Sequence, residues 1–339
     1  MKLAAMMVCL GTMLAPLAPA QSPKSLDIYF VDVEGGQATL FVTPNHESLL
    51  IDTGWGGHDS RDAKRIVEVA KLAGLSKIDD VIITHFHDDH IGGVKNLLSL
   101  IPVGTFIDHG ALYEHCRTCV SGFDEYMKLI AEGKARRKIA AVGEVLPFKG
   151  MQVRVVSADG KVISKPLSGA GQINPFCAKS EARPHDETEN GKSVGTVISF
   201  GKFRTSDLGD LTWDMERELM CPVNRIGKVS LLVVSHHGWY QSSSPAYVAA
   251  VQPQIAVMDN GTKKGGSLAT LKTLNDVKEM DLWQLHRSAE GGKANTADAR
   301  IANLDGGKDG YYLKVSAHRD GAFDIFNPRT SKTVHYPAR

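Results

Sequence analysis

The residues best suited to chemistry lie in one segment, 84–90, which reads Thr-His-Phe-His-Asp-Asp-His. It brings three imidazoles and the carboxylate of Asp89 together just after the apolar run 81–83. Helix capping alone does not explain so many clustered imidazoles, whereas a bound cation does. Imidazole plus carboxylate is the ligand set of zinc, and manganese or iron also accept it. The segment therefore predicts a metal site.

The spacing in this segment predicts two ions rather than one. His85 and His87 are two residues apart in an extended loop, so they project to the same side. Asp89 and His90 come from the turn that opens a helix, and they approach a different point. The later pair would hold a second ion about 3.5–4 Å from the first.

An acidic residue and two histidines after later strands would complete such a centre. Asp207 ends a strand within a loop of small residues and suits a carboxylate that bridges two metals; the alternative is that it caps a turn. Asp210 is predicted to be the N-cap of a helix over 211–219. His236 and His237 follow an apolar strand, and one of them would bind the second metal while the other faces the substrate. Spacing does not choose between them.

One carboxylate is predicted to support the ligands without binding a metal. Asp52 follows the apolar strand 48–51, which would place it beside the metal loop. There it would accept a hydrogen bond from a ligand imidazole. The alternative is a local Asx-turn.

Apolar runs and turn residues divide the chain into two halves in which strands alternate with helices. Predicted strands cover 26–33, 37–42, 48–51, 194–200, 202–205, 229–234, 255–258, 282–285, 311–316 and 322–326, and predicted helices cover 62–72, 211–219 and 268–280. Strands inside and helices outside predict a four-layer αββα sandwich of the α/β (α+β) class, in one domain over 26–328. The less regular segment 108–190 is interpreted as a lid or insertion. The candidate ligands all fall where strands end, the usual place for a site on such a scaffold.

Composition limits the kinds of partner. The 339 residues carry a formal net charge of +1, and 42% of them are hydrophobic, which allows a large core. Nonspecific affinity for DNA is built from an excess of Lys and Arg. We therefore expect no stable nucleic-acid complex, and no pattern indicates an oligomeric state.

The N-terminus has the features of an export signal. Lys2 precedes an apolar stretch over 3–17, followed by Ala18-Pro19-Ala20. This pattern is typical of a secretory signal peptide over 1–20 with cleavage near Ala20, and the alternative is a retained N-terminal anchor. No later apolar stretch reaches the roughly 18 residues of a membrane span. The mature protein is expected to be secreted or periplasmic, without a transmembrane segment.

Four cysteines remain after the predicted cleavage: Cys116, Cys119, Cys177 and Cys221. In an oxidising compartment an even number is compatible with two disulfides, and four cysteines allow three pairings. A zinc site that uses Cys116 and Cys119 is the alternative.

Five motifs together resemble the metallo-β-lactamase superfamily. They are residues 31–38 (VDVEGGQA), 50–54 (LIDTG), 84–93, the strand that ends at Asp207, and 233–238 (VVSHHG). Within the superfamily the chain is similar to the hydrolase domain of ComEC-type competence proteins over about 26–315. The resemblance implies an αββα sandwich, a dinuclear zinc centre, and hydrolysis with a preference for phosphoester bonds.

The resemblance also implies roles for individual residues. His85 and His87 match ligands of the first metal, Asp89, His90 and either His236 or His237 match ligands of the second, and Asp207 matches the bridging carboxylate. The superfamily usually supplies another histidine to the first metal; here Asn190, or His185 from the lid, is the expected substitute. The loop 260–267 lacks a histidine that ComEC-type domains often carry, and Trp239 replaces a small polar residue, which leaves the substrate open.

From these residues we expect a hydrolase that uses a hydroxide activated by two zinc ions. Asp89 would orient the nucleophile and carry its proton. The spare histidine of the His236–His237 pair, with Lys263 or Lys264, would stabilise the leaving oxygen. The expected substrate is a small-molecule or oligomeric phosphoester: a nucleotide, a nucleic-acid fragment or an envelope phosphodiester. Hydrolysis of a carboxylic ester, thioester, lactone or β-lactam is the alternative, and a metal-stabilised binding module without turnover is the second.

Overall fold

The computed structural model describes residues 25–304, 306 and 309–339, and the predicted signal peptide over 1–20 lies outside the described residues. In the described part the strands are, in chain order, β1 (Leu26–Phe30), β2 (Thr39–Val42), β3 (Ser48–Ile51), β4 (Ile78–Ile82), β5 (Val103–Asp108), β6 (Arg136–Ile139), β7 (Val145–Leu146), β8 (Gln152–Ala158), β9 (Lys161–Val162), β10 (Gly195–Phe200), β11 (Phe203–Asp207), β12 (Leu231–Val233), β13 (Ile255–Met258), β14 (Asp281–His286), β15 (Ile301–Asn303), β16 (Leu313–Ala317), β17 (Phe323–Asn327) and β18 (Lys332–Tyr336). The α-helices of the same part are α1 (Arg61–Leu72), α2 (Asp88–Ile91), α3 (Val94–Leu100), α4 (Arg117–Ala131), α5 (Trp213–Met220), α6 (Pro245–Val251) and α7 (Leu268–Asn275).

These strands form two sheets. The first has the order β18-β17-β16-β1-β2-β3-β4-β5-β6, and the second has the order β15-β14-β13-β12-β11-β10-β8-β7, with β9 paired to β8. In the first sheet β3, β4, β5 and β6 run parallel to one another. In the second, β11 to β15 are also parallel. The loops that follow these parallel strands therefore leave each sheet at one edge, where sites on such folds form.

Apolar packing joins the sheets and helices into four layers. Between the sheets, Phe203 of β11 meets Phe323 of β17 with ring centroids 5.6 Å apart. The outer face of the first sheet packs against α1, α3 and α4, with Ile66 and Tyr126 fully buried. The outer face of the second packs against α5, α6 and α7. Each fully buried large apolar side chain contributes about 1.5–3 kcal/mol. The predicted four-layer αββα sandwich is confirmed.

The helix α1 illustrates how the sequence sets this packing. Ala63, Ile66, Val67 and Ala70 are buried, and their spacing of three or four residues places them on one face of a helix. The predicted helix over 62–72 matches α1 to within one residue at its start. The helix predicted over 268–280 ends earlier, at Asn275. None of the helices in the described residues combines the length and hydrophobicity needed to cross a membrane.

The segment 108–190 contributes to both sheets. Within it, β6 pairs with β5 at the edge of the first sheet, and β8 pairs with β10 in the second. Residues 163–188 contain no strand, and they include a 3-10 helix, Pro175–Lys179. A disulfide between Cys177 and Cys221 fastens this 3-10 helix to the end of α5, and the other disulfide joins Cys116 and Cys119 at the start of α4.

Candidate metal centre

The metal loop follows β4 and turns into α2, which begins at Asp88. His85 lies in the loop and is fully buried. Its Nε2 atom is 3.0 Å from Nδ1 of His87, because the two side chains project to the same side of the extended loop. These two ring nitrogens form the first of two groups of candidate ligand atoms.

The second group surrounds His90. The Nε2 atom of His90 lies 3.2 Å from Nε2 of His237 and 3.3 Å from Oδ2 of Asp89. Asp89 Oδ2 is also 3.1 Å from His237 Nε2. With Asp210, these residues offer ligand atoms that all lie within 4.8 Å of one another, and all four residues are buried.

Asp210 lies between the two groups. Its Oδ2 atom is 3.3 Å from Nε2 of both His90 and His236 and 3.8 Å from Nε2 of His85. Its Oδ1 atom is 3.5 Å from His237 Nε2. One carboxylate thus faces histidines that come from both the metal loop and the loop after β12.

Asp207 has a different environment. It is the last residue of β11 and shares a face with Phe203, because side chains alternate along a strand. Its buried carboxylate accepts hydrogen bonds from Gln37 Nε2 at 2.7 Å and from the Gly209 amide at 3.0 Å. Burial raises the pKa of Asp207 to about 7. The structure therefore places Asp207 beside Gln37, outside the four-residue ligand group.

The helix-capping prediction for Asp210 is wrong. The helix α5 starts at Trp213, and its N-cap is Thr212. A tight turn after β11 places Asp210 before the capping position. In this turn Gly209 has a φ of 55°, and a Cβ atom there would lie 2.7 Å from the Cβ of Thr84. Sequence reasoning identified this loop, and the structure brings Asp210 rather than Asp207 into the four-residue ligand group.

Asp52 lies behind the metal loop. It accepts a hydrogen bond from His90 Nδ1 at 2.7 Å, from the Thr84 amide at 2.8 Å and from the Thr84 hydroxyl at 2.7 Å. Its backbone φ is 62°, an uncommon value for a residue with a side chain. These bonds fix the ring of His90 so that Nε2 faces the other ligand atoms.

The first motif of the chain also supports the loop. Gly36 approaches it so closely that a Cβ atom there would lie 2.5 Å from the Asp89 carbonyl oxygen. The Gln37 amide donates to that same oxygen at 3.2 Å. The turn over 34–36 thus holds the start of α2 in place from the side of the first sheet.

Glu189 is an organising residue that sequence reasoning missed. Its buried carboxylate accepts hydrogen bonds from the Phe86 amide at 3.2 Å, from His109 Nε2 at 2.9 Å and from the amides of Tyr113 and Glu114 at 2.5 and 3.1 Å. Glu189 therefore ties the metal loop to the segment after β5. Its sequence neighbourhood offered no signal beyond the acidic side chain itself.

The two substitutes expected for a first-metal histidine have separate positions. Asn190 is buried in the 3-10 helix Glu189–Lys192, and its Oδ1 atom has no hydrogen-bond partner in the described structure. His185 is largely exposed, and its Nδ1 atom lies 2.9 Å from Oδ2 of Asp214. Neither residue belongs to the ligand group around Asp210.

The two adjacent histidines differ in exposure and surroundings. His237 is buried within the ligand group, and its Nδ1 atom lies 3.4 Å from Oδ1 of Asp259. His236 is less buried, and both histidines line a cavity of about 250 Å³ with Trp239, Lys263 and Lys264. Both histidines have a φ above 50°, a strained conformation within a tight turn.

Lys264 connects this cavity to the ligand group. Its ammonium group forms an ion pair with Oδ2 of Asp89 and lies 4.6 Å from the ring centroid of Trp55. Lys263 is exposed at the mouth of the cavity. The space next to the candidate ligands is therefore lined by two lysines and by the aromatic side chain of Trp239.

The buried carboxylates and imidazoles shift one another's pKa values. Burial opposes charge, but Asp210 and Asp89 raise the pKa of His90 well above its ordinary value. Burial also opposes ionisation of Asp210, yet His236 and His90 lower its pKa well below the usual range. Burial dominates at His236 and lowers its pKa to about 4. Asp210 thus keeps its negative charge, which favours a cation.

The donor set fits divalent cations of the zinc type. Imidazole nitrogens converge in pairs at 3.0 and 3.2 Å, and ionised carboxylates lie between them. Such convergence of acceptors satisfies the preference of zinc for nitrogen and oxygen ligands. The Asp52 bond to the far nitrogen of His90 is the kind of outer contact that orients a metal-binding imidazole.

Comparison with known proteins agrees with this fold and ligand group. Residues 31–171 match the family model of the metallo-beta-lactamase superfamily. The matched segment includes the metal loop and, together with the candidate ligand group, it supports a metal-dependent hydrolase of this superfamily.

Several curated proteins are similar to the chain. ComE operon protein 3 of Bacillus subtilis is 23% identical over 250 residues, which cover 69% of this chain and 28% of that protein. An atrochrysone carboxyl ACP thioesterase of Cryptosporiopsis sp. is 40% identical over 97 residues, which cover 26% of this chain and 29% of that protein. A UPF0173 metal-dependent hydrolase of Cupriavidus taiwanensis is 27% identical over 269 residues, which cover 73% of this chain and 82% of that protein. The chain thus spans less than a third of the length of the first two.

Proposed function

We propose that the chain hydrolyses phosphodiester bonds at a centre of two zinc ions that share Asp210. The observation that carries this proposal is the position of the Asp210 carboxylate, with Oδ2 3.3 Å from the Nε2 atoms of both His90 and His236. A carboxylate shared in this way is expected where two cations act on one substrate.

The proposed ligands divide into two sets around Asp210. His85 and His87 would bind one ion, and Asp89, His90 and His237 would bind the other. His236, whose Nε2 atom reaches Asp210 from the cavity side, takes the place that we expected Asn190 or His185 to fill. When bound, the two ions would polarise the scissile group and make water a better nucleophile at neutral pH.

The chain's own residues would orient the substrate and move protons. Asp89 lies at the edge of the ligand group and can hold the attacking water and accept its proton. Lys264 forms an ion pair with Oδ2 of Asp89. When an anionic group enters the cavity, the ammonium group can leave this carboxylate and pair with the anion instead. Lys263 at the cavity mouth would add a second positive charge beside the departing oxygen.

The charge of the cavity supports a phosphodiester substrate over a neutral acyl group. Lys263 and Lys264 line it together with Trp239. Positive charge next to the metal ligands favours the anionic phosphoryl group and the charge that develops on it. An aromatic side chain at the same cavity would accept a planar leaving group by stacking.

We also propose that the protein is exported. The features that support export are the apolar segment 3–17 with its Ala18-Pro19-Ala20 end and the two disulfides of the described part. Disulfides persist in oxidising compartments such as the periplasm or the extracellular space.

A thioester substrate is the second candidate. The observation that favours it is the 40% identity over 97 residues to an atrochrysone carboxyl ACP thioesterase. The same pair of cations would polarise a thioester carbonyl as well as a phosphoryl group. The two candidates differ in the charge of the group that enters the cavity.

The test compares two model substrates on one preparation. The zinc-loaded protein is assayed with bis(p-nitrophenyl) phosphate and with an N-acetylcysteamine thioester, each with a chelator-treated sample as control. We expect turnover of the phosphodiester that the chelator abolishes. Turnover of the thioester alone would replace the first candidate with the second, and no turnover of either with zinc bound would indicate a binding module.

A further inference from the structure

A disulfide lies at the beginning of α4, next to the metal loop. Cys116 is the N-cap of this helix, and its Sγ atom accepts a hydrogen bond from the Cys119 amide at 3.0 Å. The first turn of the helix contains no acidic residue. Two cysteines separated by two residues at a helix N-terminus form the arrangement in which thiolates are stabilised and disulfides exchange readily.

The buried sulfur of this disulfide belongs to a second cluster of metal-binding groups. His87, Glu114 and Cys119 offer ligand atoms that lie within 4.8 Å of one another. His87 Nε2 and Glu114 Oε2 are 3.0 Å apart. Glu114 is held in place by Glu189, whose amide donates to Glu114 Oε2 and whose carboxylate accepts from the Glu114 amide, each at 3.1 Å.

We propose that Cys119 is a redox-controlled metal ligand, and that reduction of the Cys116–Cys119 disulfide completes a site for Zn²⁺ with His87 and Glu114. In the oxidised protein the sulfur is bonded to Cys116 and lacks the charge that binds zinc. In the reduced protein it becomes a thiol, and as a thiolate on the cation it is the ligand with the strongest preference for zinc among these three groups.

The exposure of the two sulfurs sets the order of the chemistry. Cys116 is partly exposed, whereas Cys119 is fully buried. One sulfur of an external dithiol attacks Cys116 Sγ, the disulfide bond breaks, and Cys119 leaves as a thiolate beside His87. The second sulfur of the dithiol then attacks the mixed disulfide and releases Cys116. Two electrons and two protons pass from the dithiol to the cysteines, and Cys119 gives up its proton when the cation binds.

His87 would connect this site to the candidate metal centre. Its Nδ1 atom faces His85, and its Nε2 atom faces Glu114. A cation held by Cys119 and Glu114 would therefore contact Nε2 of His87. The other ring nitrogen of His87, Nδ1, faces His85 in the candidate metal centre. The proposal does not depend on the substrate of that centre.

The experiment uses Co²⁺ in place of Zn²⁺, because a cobalt–thiolate bond produces an intense near-ultraviolet charge-transfer absorption that nitrogen and oxygen ligands do not. All variants are made in the chain without the predicted signal peptide over 1–20, which also removes Cys9, so that the remaining cysteines are those of the two disulfides. Two matched variants separate the sulfurs: Cys116→Ser leaves Cys119 free without any reductant, and Cys119→Ser removes the proposed ligand. A Cys177→Ser/Cys221→Ser double variant removes the other disulfide.

The Cys116→Ser protein should show the absorption without reductant. The parent and the double variant should show it only after reduction by a dithiol that is removed before Co²⁺ is added. The Cys119→Ser protein should stay at baseline throughout. Baseline absorption in a folded Cys116→Ser protein with cobalt bound, or equal absorption in Cys119→Ser, would overturn the proposal. The readout is independent of turnover, so failure here leaves the phosphodiesterase proposal to its own test.

Discussion

Asp207 and Asp210 are three residues apart in one loop, yet their carboxylates have different neighbours. Asp210 faces four histidines, and Asp207 accepts hydrogen bonds from Gln37 and Gly209. Strand geometry decides between them, because Asp207 is still part of β11 and its side chain shares the face of Phe203. From sequence, the loop is identifiable, but the residue at which the strand ends is not.

The substitutions Asp210→Asn and Asp207→Asn test this assignment. Changes to residues that only orient a ligand already reduce metal affinity or activity about 10–100-fold. We therefore expect Asp210→Asn to reduce turnover by at least about 100-fold and to lower the zinc content per chain. Asp207→Asn should retain its zinc, since an amide resembles the protonated carboxyl that burial favours at this position.

Zinc content is measured by atomic emission on dialysed protein. Turnover is measured with the phosphodiester substrate. The two variants serve as each other's control for the loop. A loss of zinc in Asp207→Asn that equals the loss in Asp210→Asn would contradict the placement of the shared carboxylate.

At the scale of elements, the loop that carries His236 and His237 depends on α5. Glu216 in this helix is fully buried, and its carboxylate accepts hydrogen bonds from the amides of Ser243 and Ser244 at 2.7 and 2.6 Å. Ser244 is in turn the N-cap of α6. A single carboxylate thus joins α5 to the segment that follows the two histidines.

The titration of Glu216 is expected to make stability depend on pH. Burial raises its pKa from 4.5 to about 7. Between these values the unfolded chain has lost a proton that the native protein keeps, so the free energy of unfolding falls as pH rises. The contribution is fully present below about pH 4.5 and lost above about pH 7, on the order of 3 kcal/mol in total.

The substitution Glu216→Gln removes this contribution. The unfolding free energy of the variant relative to the parent should increase steadily between pH 4.5 and pH 7. It is measured by denaturant unfolding of the metal-free proteins across that range. Glu218→Gln, at an exposed position of the same helix, is the control. A parent-to-variant difference that does not change with pH would show that Glu216 does not titrate in this window.

Strands inside the sheets were easier to predict from sequence than the strand at the edge of the first sheet. Apolar runs such as 48–51 and 255–258 coincide with β3 and β13. The basic side chains of Arg136, Arg137 and Lys138 belong to β6 at the edge of the first sheet, and no strand was predicted there. Charged side chains are common on edge strands because they discourage pairing with other chains, so their pattern carries little information about strand structure.

At the scale of the whole molecule, the candidate centre forms where loops from both sheets meet. β4 of the first sheet leads to the metal loop, while β11 and β12 of the second lead to Asp210 and to the histidine pair. Sequence motifs located these loops, because each polar cluster follows an apolar strand. The contacts that fix them, such as those of Glu189 across 103 residues to Phe86, depend on the packed sandwich and leave no local pattern.

The most direct test of the central claim is anomalous X-ray scattering at the zinc edge from crystals grown with Zn²⁺. We predict two peaks about 3.5–4 Å apart, both in contact with Asp210. One should lie beside His85 and His87, and the other among Asp89, His90 and His237. A single peak, or a peak bound by Asp207 and separate from Asp210, would contradict the shared-carboxylate centre.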